Sequence, residues 1–262
     1  MKIIDQQVHA FFETPTDFEG CLRLIERAAR TCYGSKPSED LESTKRFVEG
    51  LIKRGHLSVL RHSNLVVADV GLDVEPSRYI NKHRYLMGGN WQAWLESKYP
   101  CTELTQSNIM DFLKKLYKDR GSSSPPELKR YTCHLTTSLR NSHQLVRHTA
   151  LAFSQKSTRY ISHSDLEVIK PWWFSNPDRA TEYGWAQRRK NNELSYKQAL
   201  SSGLSKEDAA DELPKATATE MWVTGDRDAW LNLKAQRLNN STGKAAQQMQ
   251  DLMRLFDWSI ID

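Results

Sequence analysis

Residues 143–160 read HQLVRHTALAFSQKSTRY and form the most unusual stretch of the chain. Gln144, Arg147 and His148 stand at i, i+3 and i+4, so a helix here would set them on one face. Ser157 and Arg159 follow within a turn or two. Forked guanidinium donors beside short hydroxyl donors are what phosphate recognition requires. Arg and His at this spacing also describe an ordinary solvated helix face. Leu145, Val146, Ala150, Leu151, Ala152 and Phe153 crowd the same segment and favour donors held against an anion. Physics alone leaves both readings open.

On the N-terminal side, Tyr131 to Ser138 reads as a short strand and residues 139–151 as helical or turn-like. Further out, apolar spacing predicts helices over 17–31 and 39–54, the second stopped by Gly55. Residues 64–74 read as a Val-rich strand. An irregular region at 76–130 holds helices near 90–97 and 107–118 and ends in the breaker run GSSSPP. On the C-terminal side lie a polar helix at 178–201 and a capping box from Ser205 to Asp208. A strand at 216–224 and a helix at 226–239 follow. Ala245, Ala246, Met249, Leu252, Met253 and Phe256 predict a final amphipathic helix. Arg237 lies four residues after Leu233 and seven after Trp230, on the apolar face of the helix at 226–239, where a guanidinium needs an anionic or hydrogen-bonding partner unless it snorkels outward. GNWQAWL (89–95) and GDRDAWL (225–231) repeat a capped helix start carrying a Trp. Two unrelated caps would look the same.

The 262 residues suffice for a core without covalent staples, and no apolar run reaches a membrane span. The start MKIIDQQVHAFF lacks a signal-peptide pattern, so a cytoplasmic location is expected. Cys21, Cys32, Cys101 and Cys133 form no C-x-x-C pair, which speaks against zinc ribbons and redox motifs. A net charge of +5 suits a protein that meets anions. The basic residues are scattered with no groove-reading motif, so nucleic acid is not an expected partner.

The segment at 147–160 resembles the signature of the flavin-dependent thymidylate synthases, the ThyX family: R-H-R, seven residues, Ser, then Arg-Tyr. Here Arg147-His148-Thr149 is followed by seven residues, Ser157 and Arg159-Tyr160. GHLSVLRH (55–62) resembles the family's H-x-S-x-x-x-H stretch, with His56 as the first His. AARTCYG (28–34) and LPKATATEMWVTGDRDAWLNLKAQR (213–237) match further blocks in the family's order, covering about two thirds of the chain. The resemblance implies an α/β (α+β) fold with a central mixed sheet and packed helices. Residues 1–262 would form one catalytic domain carrying an insertion at 76–130, assembled as a homotetramer with sites between subunits. It implies reductive methylation of dUMP to dTMP, with FAD as cofactor and NADPH and methylenetetrahydrofolate as co-substrates. Carried over by position, His56, Arg147, His148 and Asn232 would bind FAD. Gln144, Gln155, Ser157, Arg159 and Arg237 would hold the nucleotide, with Arg237 and Ser157 at the chemistry. No thiol nucleophile and no metal is implied.

The chain departs from the pattern where charge matters. The second Arg of R-H-R is Thr149, and the Arg three residues before L-P is Ala210. Asn and Arg of the T-G-N-x-R-A-W block are Asp226 and Asp228, and the Glu that often precedes the second His is Arg61. Each lost charge-assisted phosphate contact costs about 1.5–3 kcal/mol. Arg61, Arg227 or a Lys of the insertion could compensate. Otherwise the ligand differs: another pyrimidine nucleotide such as dCMP or UMP, methylated or hydroxymethylated, or a non-catalytic subunit on the same fold.

Overall fold

A computed structural model describes residues 1–68, 80–83, 86–96, 109–118, 125–175, 179–238 and 246–261. Two strands, β1 (Lys2–Ile4) and β2 (Gln7–Glu13), lead into α1 (Phe18–Tyr33) and α2 (Leu41–Lys53). Next come β3 (Leu65–Ala68), β4 (Ile80–His83), β5 (Leu86–Gly89), α3 (Trp91–Glu96) and α4 (Ile109–Lys118). After these, β6 (Arg130–Ser138) runs into α5 (Leu139–Leu145), β7 (Ala152–Gln155) and β8 (Glu167–Ile169). The chain then forms α6 (Arg179–Ser201), α7 (Lys206–Ala209), β9 (Ala218–Asp226), α8 (Arg227–Arg237) and α9 (Gln247–Met253).

Side chains of known capping chemistry set the helix ends. Asp17 accepts from the Gly20 N–H to open α1, and Gly34, at φ 64°, closes it. Asp40 opens α2 in the same way, and Asp226 opens α8 by accepting from the Ala229 N–H at 2.9 Å. The capping box at Ser205 forms, with the Asp208 N–H donating to the Ser205 hydroxyl.

The order β2-β6-β9-β7 makes the principal sheet. Along β6, Tyr131, Cys133 and Leu135 face one side and Thr132, His134 and Thr136 the other. The apolar side packs with Met221 and Val223 of β9 against Trp230 and Leu233 of α8 and Met249, Leu252 and Met253 of α9. On the opposite side Trp222 meets Leu24 and Ala28 of α1. A second sheet, β3-β5-β4, packs with α1, α2, α3 and α4 around Trp91, Trp94 and Leu113. Described parts of 76–130 therefore share a core with the first two helices.

Helices and strands are both present as expected, but the principal sheet is antiparallel rather than mixed. The crossover through α5 leaves β6 and β7 running the same way, and β9 fills the gap between them, antiparallel to both. The parallel pair is β1 with β8. The final helix also ends earlier than its periodicity predicts, at Met253, and Phe256 reaches the core from the turn beyond it. Positions 69–74 of the expected strand, 97 and 107–108 of the expected helices, 121–124 of GSSSPP, Cys101 and Ala245 lie outside the described residues. Among the described residues no helix is long and apolar enough to cross a membrane.

Candidate functional site

Of residues 139–151, expected to be helical or turn-like, the helix covers Leu139–Leu145. Two tight turns follow, in which the His148 N–H donates to the Leu145 carbonyl and the Leu151 N–H to the His148 carbonyl. Leu145 and Leu151 are both 1 % exposed in the same core cluster. Six residues of α-helix would rotate Leu151 about 120° away from Leu145, so the backbone turns to bury both. Gln144, Arg147 and His148 thus do not share a helix face, but the turns bring Arg147 and His148 to the start of a cavity.

That cavity measures about 430 Å³. Arg147, His148, Thr149 and Ala150 form one wall, and Ala229, Asn232, Gln236 and Arg237 of α8 form the other. Its lining holds two guanidiniums, an imidazole and two amides, and no carboxylate. The Arg237 Nε–H donates to His148 Nε2 at 3.0 Å, and Arg237 Nη2 to the Gln144 carbonyl at 3.3 Å. Accepting at Nε2 places the His148 proton on Nδ1. Burial, then the adjacent Arg237 charge, pushes this imidazole down to about 4. Burial and the facing Arg147 charge also lower the Arg237 guanidinium from its ordinary value. Gln236 Nε2 donates to Asn232 Oδ1 at 2.8 Å, which leaves the Asn232 amide N–H groups to serve a ligand. Donors with uncompensated positive charge suit phosphate and imide oxygens, and so suit a flavin dinucleotide or a pyrimidine nucleotide.

The other expected residues lie elsewhere in the chain. Gln155, on β7, donates to the Ser142 and Thr219 hydroxyls at 3.1 and 3.2 Å. Ser157 donates its N–H to the Cys32 carbonyl and accepts at its hydroxyl from the Arg159 N–H. Arg159 pairs with Glu207 at 2.8 Å, both exposed. His56 is exposed ahead of the short 3-10 helix Leu57–Arg61. Of nine expected site residues, the cavity gathers Arg147, His148, Asn232 and Arg237, with Gln144 bonded through its carbonyl. Ala229 and Gln236 join them unanticipated; their i, i+3 and i+7 relation to Asn232 on α8 was the available signal.

Departures from the motif are visible in place. Thr149 and Ala150 line the cavity without adding charge, Asp226 is spent capping α8, and Asp228 is exposed. Arg227 points away, its Nε donating to the Ile261 carbonyl. Arg61 Nη2 instead reaches this turn, donating to the Thr149 carbonyl at 3.3 Å and the Leu151 carbonyl at 3.1 Å.

The sequence matches the family Thy1, described as thymidylate synthase complementing protein, over residues 16–92 and 89–256. A protein of Mycolicibacterium gilvum named flavin-dependent thymidylate synthase is 23% identical over 241 residues, covering 86% of this chain and 70% of its own. One of the same name from Synechocystis is 24% identical over 143 residues, 47% of this chain and 63% of its own. Among solved structures, that of the UMP/dUMP methylase PolB from Streptomyces cacaoi bound with 5-Br dUMP overlaps 97% of this chain and 89% of its own, at 11% identity and a TM-score of 0.47. Family match and motif order coincide over most of the sequence, and the chain belongs to the Thy1, thymidylate synthase complementing protein, family.

Proposed function

We propose that this protein is a flavin-dependent methyltransferase of the thymidylate synthase type, converting dUMP to dTMP with methylenetetrahydrofolate as carbon donor and NADPH as reductant. The carrying observation is the cavity in which Arg147, His148, Asn232 and Arg237 meet with no carboxylate among its lining. Arg147 and the Asn232 amide would hold FAD there, and the neutral His148 would offer its Nδ1–H as a donor. Arg237, half-buried and held by His148, would present its remaining N–H groups to the pyrimidine, where charge builds up as the ring is reduced. Bound FAD supplies hydride chemistry, so no thiol nucleophile is required. Burial pushes Cys21 up to about 11 and Cys133 well above its ordinary value, which keeps both protonated and unreactive.

His56, Gln155, Ser157 and Arg159 stand apart from this cavity within one chain. Their expected roles toward flavin and nucleotide, with Ser157 near the chemistry, are therefore assigned to sites completed between copies of the chain in a homotetramer. A second reading rests on the missing cations at Thr149, Ala210 and Asp228: the nucleotide is another pyrimidine, such as dCMP or UMP. Purified protein supplied with FAD, NADPH and methylenetetrahydrofolate should turn dUMP into dTMP. Methylation of dCMP or UMP in preference to dUMP would select the second reading, and no product from any of the three would refute both.

A further inference from the structure

Helix α8 meets the cavity with Ala229, Asn232, Gln236 and Arg237, while the fully buried Trp230 and Leu233 pack it onto the principal sheet. The Trp230 indole N–H donates to the Tyr131 carbonyl at 3.0 Å, which fixes the roll of the helix and so the face it turns to the cavity. A carboxamide on a fixed face is still ambiguous. Its terminal torsion is soft and roughly two-fold, so Asn232 alone could offer a ligand either its oxygen or its N–H groups. One helical turn further on, Gln236 removes that ambiguity: its Nε2 donates to Asn232 Oδ1 at 2.8 Å. With its oxygen engaged, Asn232 has its N–H groups left for a ligand. The amide thereby joins the Arg147 and Arg237 guanidiniums and the His148 Nδ1–H as a donor in the same lining.

We propose that Gln236 is a positioning residue for the cofactor: it holds the Asn232 amide with its N–H groups toward the cavity, so that this point of the α8 wall receives an acceptor atom, a ring carbonyl or a phosphate oxygen. The inference rests on the reading that this cavity binds FAD. It adds the residue that orients one of the donors, and the polarity of the atom taken there. Gln236 acts through Asn232, so its effect exists only while the Asn232 amide is present.

Fluorescence titration of FAD into the purified full chain tests this without any turnover. Met, Lys and Glu are about as good helix formers as Gln, so substitutions at position 236 leave α8 intact. Gln236→Met removes the donor without adding charge and should weaken FAD binding about threefold. Gln236→Lys keeps an N–H donor for Asn232 Oδ1 and should bind FAD at least as tightly as the unsubstituted protein. Gln236→Glu accepts from the Asn232 N–H groups, turns the amide round and adds a carboxylate; it should weaken binding about tenfold or more. In an Asn232→Ala background, Gln236→Met should change nothing further, because its route to the ligand is gone. The proposal is overturned if Gln236→Met binds FAD as tightly as the unsubstituted protein, or if Gln236→Lys is as weak as Gln236→Met. It is also overturned if Gln236→Met costs the same factor with and without the Asn232 amide, since Gln236 would then act on the ligand or the helix directly. If the unsubstituted protein binds no FAD, the flavin reading itself fails, and this inference with it.

Discussion

His148 and His62 are held neutral by burial, and that has a sign. Each imidazole takes its proton more readily in the unfolded chain, near pH 6.5, than in the folded one, near 4 and 3 respectively. Their contribution to stability is fully present above about pH 6.5 and is lost as pH falls from there toward 4. The thermal midpoint should drop over this range, and His62→Gln should make the drop shallower; an unchanged slope would contradict it. His62 also bridges the Thr224 hydroxyl at 2.8 Å and the Ser154 hydroxyl at 3.0 Å, tying the stretch at 55–62 to β7 and β9. At Arg237, the bond to His148 makes a second prediction. Arg237→Ala removes a neighbouring cation, so the His148 titration followed by ring proton resonances should move up. A downward or null shift would refute the contact. The sequence placed Arg237 on the apolar side of its helix, marked by Trp230 and Leu233, and left open whether it snorkels outward. It could not show that His148 would be the partner, because that depends on the turns after Leu145.

Elements whose ends are written in capping side chains were legible: α3 and α8 start behind the expected caps Asn90 and Asp226, while α1 and α2, expected from apolar spacing alone, start behind Asp17 and Asp40. The two Trp-bearing repeats prove to be the same device used twice. Trp94 donates its indole N–H to the Leu65 carbonyl at 3.2 Å, and Trp230 donates to the Tyr131 carbonyl at 3.0 Å, so each helix is stapled to a neighbouring strand. What stayed illegible was short or phase-shifted. Along β2 the register slips between Val8 and Ala10, a bulge at His9 that breaks the alternation marking a strand. With only four residues, β7 offers too short a pattern to read. Asp226→Ala should cost about 1 kcal/mol through loss of the α8 cap. Trp230→Ala should cost about 3–5 kcal/mol through the cavity it leaves beside Phe11 and Phe256. Denaturant unfolding measures both, and equal costs would show that the cap and the staple are not the separate supports described here.

Across the whole molecule, two segments far apart in sequence meet at one cavity. Helix α8, packed on the principal sheet, carries one wall, and the turns after α5 carry the other. Motif order along 28–237 was enough to point to the family, since blocks far apart in sequence kept their sequence of appearance. Motif order could not show which expected residues one chain brings together, and His56, Ser157 and Arg159 lie outside this cavity. Nor could the net charge of +5 locate the site, because the basic residues are scattered along the chain. The central claim is that the Arg147–His148–Asn232–Arg237 cavity binds FAD. Titrating FAD into the purified chain and into Arg147→Ala and Asn232→Ala variants tests it most directly. Saturable binding by the unsubstituted protein, weakened about tenfold or more by each substitution, is the predicted result; no binding, or binding that neither substitution changes, would contradict it.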